Sequence, residues 1–221
     1  MGPMIAAARF LDMLRDGSER IPGSGPAVRL GASLHGSLAF TGKGHATDRA
    51  LLLGYAGARP DTLDPDAAAR LEAEVRASHR VAPEGLGPLA FDPERDLVFD
   101  YETALPGHAN GLALAAYDAG GNLHMREVFY SVGGGFVLTE REMGRGPADG
   151  PEALHAEKAD HGYPHPFGSA AEMLAMGDAS GRTIAEMKRA NEIAHSGVAD
   201  LDARLDAIWQ SMEACIDRGL R

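Results

Sequence analysis

Between Val28 and Asp48 the sequence changes from one periodicity to another across a glycine-rich break. Val28, Leu30, Ala32 and Leu34 recur at every second position, the period of a half-buried strand. Ala50, Leu51, Leu53 and Gly54 follow at helical spacing, with Thr47 or Asp48 suited to the N-cap. The stretch between, Ser37 to Ala46, is therefore expected to be a strand-to-helix loop. Within it Gly42 and Gly44 flank Lys43 and precede His45. The glycines give backbone freedom and close approach. The loop can then offer a cation, an imidazole and unpaired helix-start N–H groups to an anion such as a carboxylate. A glycine turn with a solvated lysine fits the same spacing, and the spacing alone leaves both readings open.

Composition narrows the rest. The 221 residues carry 21 Lys and Arg against 32 Asp and Glu, a formal charge of −11, which disfavours a nucleic-acid or anionic-membrane surface. No apolar run approaches the length of a membrane span, and the first residues lack the basic-then-apolar pattern of a signal peptide. A single cysteine, Cys215, cannot form an internal disulfide and suits a reducing, cytoplasmic setting. With 28 Gly, 13 Pro and 44% hydrophobic residues, the chain reads as a loop-rich α/β protein able to bury a core.

Along the chain, Pro3 suits a first helical position, and Met4, Ala7, Ala8, Leu11 and Leu14 continue a helix. Asp64 and Pro65 start another that runs to about Ser78. Residues 79–96 hold Pro83, Pro88 and Pro93 and read as loop or sheet edge, and residues 97–99 as a short strand. Gly111–Tyr117 and Leu123–Tyr130 alternate around Asp118 to Asn122, a β-hairpin. Gly133, Gly134 and Gly135 suit either a close approach by a ligand or backbone, or a glycine bulge at a sheet edge. Residues 139–168 look like a linker. Ser169 with Glu172 and Thr183 with Glu186 form capping boxes. Leu201, Leu205, Ile208, Met212 and Cys215 place the cysteine on the expected buried seam of a last helix.

Several chemistries fail on spacing. Five residues, rather than four, separate Gly36 from Gly42, and Gly44 stands where a phosphate loop needs Ser or Thr. No dinucleotide fingerprint or Gly-x-Ser-x-Gly elbow is present. His161 and His165 have metal-helix spacing, but Gly162 and Pro164 between them oppose a helix. What survives is the 42–45 loop, together with His108 to Gly111 and Ser131 to Gly135 as loop segments at strand ends. Binding a small amino or carboxylic acid is within their range.

His35-Gly36-Ser37-Leu38 followed by Thr41-Gly42-Lys43-Gly44-His45-Ala46-Thr47-Asp48 resembles the N-terminal part of bacterial iron–sulfur L-serine dehydratases. So do Gly2-Pro3-Met4, His108 to Gly111, Phe129 to Phe136, Tyr163 to Phe167 and Trp209 to Gly219, in the same order. The resemblance implies a β domain at 1–155, similar to the allosteric substrate-binding domain of phosphoglycerate dehydrogenases. It implies a linker at 156–168, and at 169–221 the first helices of an all-α catalytic domain. It also implies a lyase of amino-acid catabolism and gluconeogenesis that deaminates L-serine to pyruvate and ammonia. In such enzymes a 4Fe-4S cluster assists loss of the serine hydroxyl while a base removes the α-proton. His45 is then the acid/base or positioning group. Lys43 with the Gly42 and Gly44 backbone, and Asn110 and Ser131, are candidates for contacting the substrate.

Two departures shape the expectation. Members of that family carry Ser-Ser-Ser-His-Thr-Val before Gly-Pro-Met, whereas here Met1 stands in place of the Val, which suggests a start codon assigned too late. The cluster cysteines are not among residues 1–221, so the cluster is expected on an α domain outside this chain, with no turnover by the chain alone. Homo-oligomers are expected. The alternatives are an amino-acid-binding regulatory module and a structural half that assembles with a separately encoded α chain.

Overall fold

The computed structural model describes residues 1–144 and 151–220. The chain divides into two compact units, Met1–Arg145 and Gly146–Arg221. In the first, α1 (Gly2–Asp16) precedes β1 (Ala27–Gly36), α2 (Ser37–Thr41), α3 (Thr47–Tyr55) and α4 (Pro65–Ser78). Then come β2 (Arg80–Val81), β3 (Leu89–Ala90), β4 (Leu97–Asp100), β5 (Asn110–Asp118), β6 (Leu123–Gly133), β7 (Phe136–Thr139) and α5 (Glu140–Met143). The second unit holds α6 (Pro151–Asp160), α7 (Ala170–Ser180), α8 (Ile184–Ser196) and α9 (Leu201–Gly219).

The strands form one mixed sheet in the order β2-β3-β1-β5-β6-β7, with β4 also paired to β1. β1 lies parallel to β3 and β4 and antiparallel to β5. The local signals act as expected. Asp64 accepts the N–H groups of Asp66 and Ala67 at the start of α4. Asp118 Oδ1 accepts those of Gly120 and Asn122 and so closes the β5–β6 turn. That hydrogen bonding holds the Asp118 carboxyl below the usual range, led by the Gly25 N–H.

Alternation along β1 and β5 sends Leu30, Leu34, Leu112 and Leu114 to one face, where they are buried with Phe10 and Leu11 of α1 and Leu51, Leu52 and Tyr55 of α3. Tyr55 packs edge-on against Phe91 at 5.1 Å and donates its hydroxyl hydrogen to the Gly31 carbonyl, 2.9 Å away. Burial pushes that phenol's pKa up. The opposite face presents Gly31, Ser33, Ala113 and Ala115.

In the second unit Thr183 and Glu186 complete a reciprocal capping box. Ser169 caps α7, but Glu172 takes the Gly168 N–H, not that of Ser169, so only half of that box forms. Two expectations are corrected. Residues 156–168 are no bare linker: 156–160 continue α6, and Asn191 accepts the His165 N–H and donates to the His165 carbonyl, both at 2.8 Å. Nor is Cys215 on a buried seam. It is exposed, as are Leu205, Ile208, Met212 and Ile216. The heptad-like spacing marks an apolar stripe on α9, but periodicity supplies no element to cover it. Part of the 139–168 stretch, residues 145–150, lies outside the described residues.

Candidate functional site

The loop after β1 is shaped at both ends by close contact. Gly36 leaves the strand with φ 54° and ψ −131°. A Cβ there would lie 2.5 Å from the Ala109 carbonyl oxygen, which accepts the Ser37 N–H at 2.8 Å. The exit of β1 is thereby clamped to the segment entering β5. Gly42 has ordinary helical angles, φ −58° and ψ −44°. Its requirement is space: a Cβ would collide with the Leu38 carbonyl and lie 2.8 Å from the Phe99 ring. Around Gly44 the space is open, with only the Thr41 carbonyl near, at 3.6 Å. The backbone-freedom argument therefore fits neither Gly42 nor Gly44, and the strained turn residue is instead Ala46, at φ 52°.

Ala46 is also the N-cap of α3, with Thr47 already helical. The expectation of a Thr47 or Asp48 cap is corrected: no side chain caps this helix, and the Thr47 N–H goes to the Gly42 carbonyl at 2.8 Å. Asp48 lies in the first turn, where a carboxylate complements the helix dipole. His45 is exposed, and its ring makes no hydrogen bond among the described residues. Its backbone is held by the Thr41 carbonyl at 3.1 Å. Lys43 reaches over the Phe99 ring, 5.5 Å from its centroid. The imidazole is thus presented by a fixed backbone.

Asn110 and Ser131 meet on the same rim of the sheet. Asn110 pairs with Gly36 in the β1–β5 register, and its side-chain amide donates to the Ser131 carbonyl at 3.3 Å. Ser131 takes part through its backbone. Its hydroxyl lies against Gly2 at the start of α1, leaving no room for a Cβ there. Among the described residues no hydrogen bond joins Lys43 or His45 to this pair. Gly133, Gly134 and Gly135 all have positive φ, 101°, 59° and 86°, and turn β6 into β7 beside a register shift. That matches the bulge alternative for the glycine triplet.

Sequence reasoning missed three supporting groups. His108 Nδ1 accepts the Asn110 N–H at 3.1 Å and so orients the strand start. Asp100 accepts the backbone N–H groups of Thr103 and Glu102, which hold its carboxyl below the usual range. His35 is buried; its Nδ1 donates to the Thr103 carbonyl at 3.0 Å, and its Nε2 lies 2.8 Å from the Ser33 hydroxyl. The order Asp100, Glu102, Thr103 is an Asx-turn signal that could have revealed the second.

The donor set does not suit an iron–sulfur cluster. Such a cubane takes three or four thiolates, and this chain has one cysteine. Among the described residues no group of three His, Cys, Asp or Glu side chains could hold a metal ion, and no helix is long and apolar enough to cross a membrane.

Residues 1–142 match the family model described as serine dehydratase beta chain. An L-serine dehydratase of Streptomyces coelicolor is 36% identical over all of this chain and 46% of its own length. L-serine dehydratase 1 of Escherichia coli is 32% identical over all of this chain and 45% of its own. An L-serine dehydratase of Helicobacter pylori is 34% identical over 99% of this chain and 44% of its own. The chain therefore spans under half the length of these curated relatives.

Proposed function

This chain belongs to the serine dehydratase beta-chain family, and on that footing we propose that it supplies one side of an active site that deaminates L-serine to pyruvate and ammonia. The observation that carries the reading is the exposed His45 on a loop whose backbone is clamped by close contacts at Gly36 and Gly42. A general acid or base needs such a group within reach of the substrate and held in place. In this reading His45 moves a proton or positions serine, and Lys43 with the backbone at Gly42 and Gly44 faces the substrate carboxylate. Asn110 and Ser131 brace the rim. The 4Fe-4S cluster is assigned to a partner α domain beyond residues 1–221. We read the first unit as the β domain, akin to the allosteric substrate-binding domain of phosphoglycerate dehydrogenases, and 169–221 as the opening helices of the α domain. A mixed sheet with a helical layer over one face is in keeping with the first assignment.

The test joins this chain to the remaining half of the Streptomyces coelicolor relative under anaerobic conditions and measures pyruvate and ammonia from L-serine. The reading expects turnover from the joined protein and none from the chain alone. It fails if the joined protein carries its cluster yet forms no pyruvate, or if the chain alone turns over.

A further inference from the structure

The sheet face opposite the α1–α3 layer carries a hollow lined in part by arginines. The register sets Ala115 between Gly31 and Arg126, and Ser33 between Val98 and Ala113. Side chains on one face stand at every second position, so four small residues lie together there. They floor a depression of about 240 Å³ that Arg29, Arg95 and Arg126 help to line. It lies toward the start of β1, about 15 Å along the strand from Gly36 at a rise of about 3.3 Å per residue.

The charges around it do not balance. Arg29 bonds Asp96 at 3.1 Å and lies 4.2 Å above the centre of the Tyr117 ring, which fixes its guanidinium. Arg95 bonds both oxygens of Asp96 at 3.2 Å. Arg126 has no ion-pair partner among the described residues. Arg29 and Arg95 therefore share the Asp96 carboxylate, whose side chain is only 2% exposed, with Asp92 near Arg95 as a second carboxylate, and Arg126 is left over. In a chain of net charge −11 this is a local reversal of sign over a concave, small-residue floor.

We propose that this hollow binds a compact oxyanion, carboxylate or phosphate in type, held by Arg126 together with Arg29 and Arg95. Guanidinium forks match the paired oxygens of both groups, and the hollow is smaller than the pockets that take drug-sized ligands. The small side chains at 31, 33, 113 and 115 leave the space the anion occupies.

Titration calorimetry on the full chain at low salt tests this, with citrate and inorganic phosphate as separate probes. At least one probe is expected to give saturable one-site binding, so the two arms separate carboxylate from phosphate preference. Arg126→Ala is expected to weaken it about tenfold or more, and Arg126→Lys to recover part of the loss, since Lys lacks the fork. Ala115→Met keeps every charge but fills the floor, and is expected to abolish binding while circular dichroism shows the fold intact. If Ala115→Met does not fold, Ser33→Met serves as the filling variant by the same criterion. The proposal is overturned if neither probe saturates below about 10 mM, if Arg126→Ala binds like the parent, or if the folded filling variant still binds.

Discussion

Replacing Gly36 by alanine should damage the first unit more than any surface change of one methyl group. At φ 54° and ψ −131° an L-residue carries backbone strain of about 1–3 kcal/mol. The new Cβ would also sit 2.5 Å from the Ala109 carbonyl oxygen. Relieving that contact displaces the acceptor of the 2.8 Å Ser37 N–H bond, a further loss of about 1 kcal/mol. The expected cost is about 2–4 kcal/mol, a large part of the 5–15 kcal/mol typical of a domain. It corresponds to a fall in Tm of roughly 5–15 °C. Near-ultraviolet circular dichroism can follow it, because Tyr55 and Tyr130 are buried in the first unit. Trp209, the sole tryptophan, lies exposed in the second unit and so does not report on the first. A tyrosine melt shifted by less than about 2 °C would refute the clamp at Gly36.

Two further substitutions probe the packing behind the site. Tyr55→Phe strips the Gly31 carbonyl of a buried donor and should cost about 1 kcal/mol by urea denaturation; no change would mean that the 2.9 Å bond contributes nothing. Asp96→Asn should cost about 1.5–3 kcal/mol, because it leaves Arg29 and Arg95 without their carboxylate. Burial pushes the Asp96 carboxyl up, but hydrogen bonds from Arg95 and the Asp92 N–H, with the Arg95 charge and Arg29, bring it below its ordinary value. Its stabilisation is therefore complete above the unfolded carboxyl pKa of about 4 and is lost as pH falls through the lower folded value. Between about pH 5 and 2, stability of the parent should fall more steeply than that of Asp96→Asn; parallel curves would contradict the assignment.

The local elements were readable because each has a local cause. Pro65 behind Asp64 starts α4, alternation marks β5 and β6, and Thr183 with Glu186 opens α8. Relations between distant segments were not readable. The need for glycine at 36 comes from its positive φ and the Ala109 carbonyl, 73 positions away, and the need at 42 from the Leu38 carbonyl and Phe99; close approach was an expected use of Gly42, but the partners that make it necessary lie outside any spacing rule. Ala46 in a left-handed conformation has no signal in its side chain. Cys215 failed for the converse reason: a helix-period stripe says which residues share a face, not whether anything covers it. At the site, His45 stood out from its glycine neighbours, while the supporting roles of His108, Asp100 and His35 depend on contacts no spacing rule contains.

As proposed above, the imidazole at position 45 acts on the serine. The direct measurement is kcat and KM for L-serine in the joined protein with His45→Asn, with cluster absorbance recorded on the same sample. The expected result is a fall in kcat of about 10²–10⁴-fold with KM and absorbance little changed. A kcat within about threefold of the parent, at equal cluster content, would contradict it.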